Sequence, residues 1–146
     1  MKLLIFPFFL LTTFLSAQTN QKIYDIIDAV SSERIEKDIN TLANFGTRNT
    51  FSDTISNTRG IGAARRWIKS EFQTITKECN NCVNVFYQKD FVRKEGNNRV
   101  PHDAWIVNVV AIQKGTKYPN RYVIMSGDID SRASDTMDFT TDAPGA

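Results

Sequence analysis

The sequence predicts an α/β domain in which N-terminal helices pack on a mixed β-sheet. Two observations carry this. Up to about residue 76 apolar residues recur at helical spacing, whereas from Cys82 the period shortens to two. Two later runs, Ala104 to Ile112 and Arg121 to Gly127, are almost continuously apolar, as expected of strands covered on both faces. Helices followed by strands, with a buried strand pair, build a layered domain.

The chain opens on a secretory signal, residues 1–17. Lys2 supplies the positive n-region, Leu3 to Leu15 the apolar h-region, and Ser16-Ala17 a small-residue cleavage site before Gln18. The h-region is too short to span a bilayer, which takes about 20 residues, so no stable membrane span is expected. Export to the periplasm or the extracellular space follows, leaving residues 18–146 as one domain's worth of chain. The formal net charge is +2, or +1 once Lys2 is removed. A nucleic-acid partner would require a basic face and is excluded.

After the signal, Ile23, Ile26, Ile27 and Val30 mark a first amphipathic helix. Ser31 or Ser32 is placed to cap a second, with Glu33 in its first turn. Ile35, Ile39 and Leu42 carry its stripe, and Gly46 stands where a C-cap glycine belongs. Gly46 to Asn57 is a polar loop. A third helix runs over 58–76 with Ile61, Ala64, Ile68, Phe72 and Ile75 on one face. These stripes are expected to be core. Gly60 and Gly62 point to close packing or an irregular first turn, and Arg65, Arg66 and Lys69 to a solvated side. Gly60-x-Gly62 lacks the Gly-Lys-Ser/Thr of a phosphate loop.

Cys79 and Cys82 are the only cysteines. In an exported chain they favour one internal disulfide over half of a zinc site or a redox pair. Cys82 to Val92 alternates as a half-buried strand, 94–98 is a turn, and Ala104 to Ile112 is the next strand. Residues 114–120 read as a hairpin loop, and 121–127 as a third strand delivering Asp128. His102 reads as a surface residue, without the partners of a catalytic triad.

Five carboxylates, Asp128, Asp130, Asp135, Asp138 and Asp142, fall within 15 residues, starting where the third expected strand ends. Ligands gather at the carboxyl ends of strands in open α/β sheets. Residues i and i+2 of an extended segment share a side, so Asp128 and Asp130 should project together. Two close carboxylates raise one another's pKa unless a cation lies between them. On spacing alone, a turn cap and a solvated carboxylate explain the pair better than a metal does.

The strand with Gly127, Asp130 and Ser131, and the closing Ala143-Pro144-Gly145-Ala146, resemble the M28 family of zinc metallopeptidases, the bacterial leucyl-aminopeptidase-like group. That family carries Gly-His-x-Asp-Ser after a hydrophobic strand. Its Ala-Pro-Gly-Ala then leads to a metal-bridging aspartate. Gly46-Thr47-Arg48-Asn49-Thr50 and Gly60 to Ile68 are similar to its N-terminal region, so the resemblance covers roughly residues 40 to 146. It implies a phosphorylase/hydrolase-like zinc aminopeptidase domain, of which residues 18–146 are the N-terminal portion, ending before most metal ligands.

The implied activity is peptide hydrolysis by a metal-activated water on a peptide substrate. Zinc is the implied cofactor, two ions in the complete protein, with Mn²⁺ or Mg²⁺ as alternatives. The chain departs from the family at position 128, where Asp128 replaces the first metal-ligating His. Asp128 is therefore the metal-ligand candidate, and Asp130 maps onto the carboxylate that supports the ligating imidazole. Two other readings stand beside this one. The first is a catalytically impaired relative acting as an extracytoplasmic peptide- or carbohydrate-binding domain. The second is a calcium-stabilised domain with oxygen ligands from the acidic loop.

Overall fold

The computed structural model describes residues 20–145 except Asn97 and Thr136. The expected signal segment, residues 1–17, lies outside the described residues. The chain is α/β. Helices α1 (Gln21–Asp28), α2 (Ser32–Asn44) and α3 (Gly60–Glu78) precede strands β1 (Val83–Val92) and β2 (Ala104–Gln113). Among the described residues no helix is long and apolar enough to cross a membrane.

The contacts divide the chain into two units, residues 1–32 and 33–146. In the first, Asn20 caps α1 by accepting the Lys22 N–H through its side chain at 3.1 Å. Its apolar residues Ile23, Ile26, Ile27 and Val30, expected to be core, are exposed.

In the second unit α2 stops where expected. Gly46 has φ +68° and donates its N–H to the Ala43 carbonyl at 3.0 Å, the left-handed ending that a Cβ disfavours. Phe45 packs its ring on Trp67 of α3 with centroids 6.3 Å apart. Yet α2 buries no residue, and Ile35 and Ile39 are exposed. The spacing of a stripe dictates which residues share a face. It does not supply the layer that would cover them.

Burial instead concentrates on the loop after α2 and the first turns of α3. Thr47, Arg48, Asn49 and Ser52 are buried together with Ile61, Ala63, Ala64 and Arg65. A polar loop tolerates this only if its polar groups are bonded, and α3 uses those bonds. The N-cap residue Arg59 makes no side-chain cap. The orphan N–H groups of Gly60, Ile61 and Gly62 donate instead to the Phe45 carbonyl, Ser52 Oγ and the Asp53 carbonyl, at 3.0, 2.9 and 3.1 Å. Arg65, expected on the solvated side, is buried because it follows Ile61 by four residues, on the same face. Arg66, one position on, is exposed.

Cys79 and Cys82 are joined by a disulfide at the end of α3, where Asn80 and Asn81 turn the chain with φ 55° and 63°. The strands β1 and β2 then pair antiparallel from Val83 opposite Gln113 to Val92 opposite Ala104. Helix α3 covers one face of this hairpin. Thus β2 is half-buried, not covered on both sides as its composition suggested, and Trp105 is exposed against Phe91.

The expected third strand over 121–127, and with it the mixed sheet, is not formed among the described residues. Residues 114–120 do not fold the chain back along β2. The Arg121 N–H closes a turn on the Tyr118 carbonyl at 3.0 Å, and the cations of Lys117 and Arg121 lie over the Tyr118 ring. Tyr122 to Met125 belong to no helix or strand and are exposed, Val123 to 93%. A continuously apolar strand is stable only between neighbours, and the hairpin offers it none.

Candidate functional site

The acidic segment is anchored from the far side of the chain by the polar loop. The Arg48 side chain is 1% exposed. Its Nε–H donates to the Ile129 carbonyl at 2.9 Å, Nη1 donates to the Leu42 carbonyl at 2.7 Å, and Nη2 donates to the Gly145 carbonyl. Its backbone pairs with Ser131 in both directions. The Arg48 N–H donates to Ser131 Oγ at 3.2 Å, and the Ser131 N–H to the Arg48 carbonyl at 3.3 Å. Burial pushes the Arg48 guanidinium below its usual pKa, opposed by the negative charge of Asp130. Arg65 is lowered for the same reason, with Tyr87 and Asp130 opposing. Its buried Nε–H has no hydrogen-bond partner among the described residues.

The carboxylates divide by what they are bonded to. Asp130 Oδ2 accepts from Thr50 Oγ1 at 3.0 Å. Asp135 accepts the Met137 N–H at 2.8 Å. Asp138 accepts from Thr141 N–H at 2.9 Å and from the Thr140 N–H and hydroxyl at 3.0 and 3.2 Å. The Thr141 and Thr140 donors hold the Asp138 carboxyl well below the usual carboxylate range. Asp142 pairs with Arg59, whose Nη2 also donates to the Thr140 carbonyl at 2.6 Å. Three of the five are therefore turn and anchor residues of the loop itself. Asp128 is exposed and takes no hydrogen bond from a described residue.

Among the described residues no three His, Cys, Asp or Glu side chains converge on a point that could hold a metal ion. Asp128 and Asp130 by themselves offer two carboxylates, fewer than the three or four protein ligands of a zinc site. Two clefts among the described residues lie elsewhere. One, of about 520 Å³, is lined by Lys94, Val100 and Met137, and the other, of about 270 Å³, by Phe51, Arg59 and Phe139. Beside the second, the exposed His102 ring meets Phe51 and Phe139 edge-on at 5.7 and 6.3 Å.

The roles of Arg59 and Arg65 left no local signal in the sequence. An arginine two residues after a C-cap glycine, in a polar loop preceding a glycine-rich helix start, was the available signal for Arg48.

The chain is similar to proteins named probable zinc metalloproteases in several fungi. It is 43% identical over 121 residues to one from Pyrenophora teres f. teres, covering 83% of this chain and 25% of that protein. With one from Leptosphaeria maculans it shares 40% over 126 residues, 86% of this chain and 29% of the other. With one from Pyricularia oryzae it shares 39% over 117 residues, 80% and 23% respectively. The chain thus spans about a quarter of the length of the curated relatives it matches. No family model matches it. No solved structure matches it either.

Proposed function

We propose that this chain is the N-terminal portion of an exported zinc-dependent peptidase of the M28 type, aminopeptidase-like in specificity, with Asp128 as a metal ligand. The observation that carries the reading is the identity of about 40% with probable zinc metalloproteases across more than four-fifths of the chain. It is supported by the availability of Asp128, the loop carboxylate that no described side chain or backbone group engages. A zinc ion would lower the pKa of a bound water and polarise the scissile carbonyl. This chain's part is to present Asp128, to hold Asp130 through Thr50, and to fix the segment that carries both. The reading requires further ligands and a general base, which the described residues do not supply.

Carboxylate oxygen binds zinc at about 2.0–2.2 Å. Aspartate in place of histidine adds negative charge and tilts preference towards harder ions such as Mn²⁺. The same substitution favours a second reading, a relative that retains the fold and binds peptide or carbohydrate without turnover. A calcium-holding loop is less well supported, because Asp135, Asp138 and Asp142 are already engaged within the loop and by Arg59. The test is elemental analysis of the full-length protein together with turnover of an aminoacyl-nitroanilide. Bound zinc and turnover abolished by a chelator are expected. Zinc without turnover, or no bound zinc at all, overturns the peptidase and selects the second reading.

A further inference from the structure

We propose that Arg48 is a positioning residue that holds the two flanks of the acidic loop on one rigid plane, fixing Asp128 against whatever follows Gly145. The proposal deepens the metallopeptidase reading and rests on it for the zinc measurement alone. Ile129 and Gly145 lie 16 residues apart in sequence, yet their carbonyls accept from Nε and Nη2 of the same guanidinium. The third bond, from Nη1 to Leu42, seats that plane on the end of α2. A guanidinium offers its donors in a fixed fork, so the angle between its acceptors is set by the side chain itself. The reciprocal backbone bonds with Ser131 lock the first flank in register, three residues past Asp128.

The second flank is tied independently by Arg59, through Thr140 and Asp142. Burying a cation is costly unless its geometry is used. Here all three side-chain bonds go to carbonyls, and two of those belong to the ends of one arc. Arg66 is the internal comparison. It also donates to three carbonyls, of Thr54, Ile55 and Ser56, but these are consecutive residues of one turn.

The test uses the full-length protein with Arg48→Lys, Arg48→Gln and Arg66→Lys. Amide hydrogen exchange is followed without zinc, and zinc affinity is measured by competition with a chromophoric chelator. Arg48→Lys should melt cooperatively and exchange at least about tenfold faster over 129–145, with the hairpin 83–113 unchanged. Its zinc affinity should fall about 10–100-fold, the effect of losing a group that orients a ligand. Arg66→Lys should match wild type in both measurements. Wild-type exchange over 129–145 in Arg48→Lys overturns the clamp. Loss of cooperative melting in both Arg48 variants reduces Arg48 to a core residue and overturns it too. Faster exchange with unchanged zinc affinity overturns the positioning of Asp128. Absence of zinc from the wild type overturns the metallopeptidase reading, and the exchange result then decides the clamp alone.

Discussion

Gly60 has φ +82°, and a Cβ there would lie 2.4 Å from the Asp53 carbonyl oxygen. That carbonyl cannot withdraw, because it accepts the Gly62 N–H. Gly60→Ala therefore meets both an unfavourable backbone conformation and a backbone clash. A loss of roughly 1–3 kcal/mol is expected, read from the urea midpoint. Asp128 makes the opposite case, a side chain that the described residues leave unengaged. Asp128→Ala in the full-length protein should lose bound metal, and Asp128→His should tighten zinc and reduce dependence on Mn²⁺. Equal metal content and affinity in wild type and Asp128→Ala would remove Asp128 from the ligand set.

Helix α3 and the hairpin were readable as elements because period alone distinguishes 3.6 from 2. Their burial was not. The stripes of α1 and α2 share faces as the spacing requires, but the facing layer is a property of the neighbours. Arg48 was opaque for another reason: its bonds to Ile129 and Gly145 span 81 and 97 residues of sequence. No local pattern encodes a contact of that separation. The cluster of carboxylates was visible, yet only the structure separates turn formers from Asp128.

The acidic loop also carries a pH signature. The folded pKa of Asp138 is depressed by the Thr141 and Thr140 donors, so its contribution to stability is present above the unfolded carboxylate value of about 3.9. It is lost as pH falls below that value and through the lower folded pKa. Asp53, lowered by the Ser56 and Ile55 N–H groups, titrates in the same sense. Wild type should melt higher than Asp138→Asn at neutral pH, and the gap should close on acidification below about pH 4. A gap that is constant with pH would show that the Thr donors are indifferent to the charge.

On the scale of the larger unit, α3 and the hairpin pack together and burial gathers in the polar loop and the start of α3, while Tyr122 to Met125 are exposed. That stretch has consequences for solubility. A short, exposed apolar run outside any sheet can pair with a strand of another chain, and the charges that flank it in sequence are Arg121 and Asp128. Expressed as these 146 residues, the chain should scatter light in a concentration-dependent way at neutral pH, and Val123→Lys should suppress it. Unchanged scattering in that variant would place the sticky surface elsewhere, for instance on Phe91 and Trp105. During synthesis the same run is a hazard for as long as it lacks a neighbouring strand. The residues that lead the chain to Asp128 thus set a time limit, after which misassembly competes with folding.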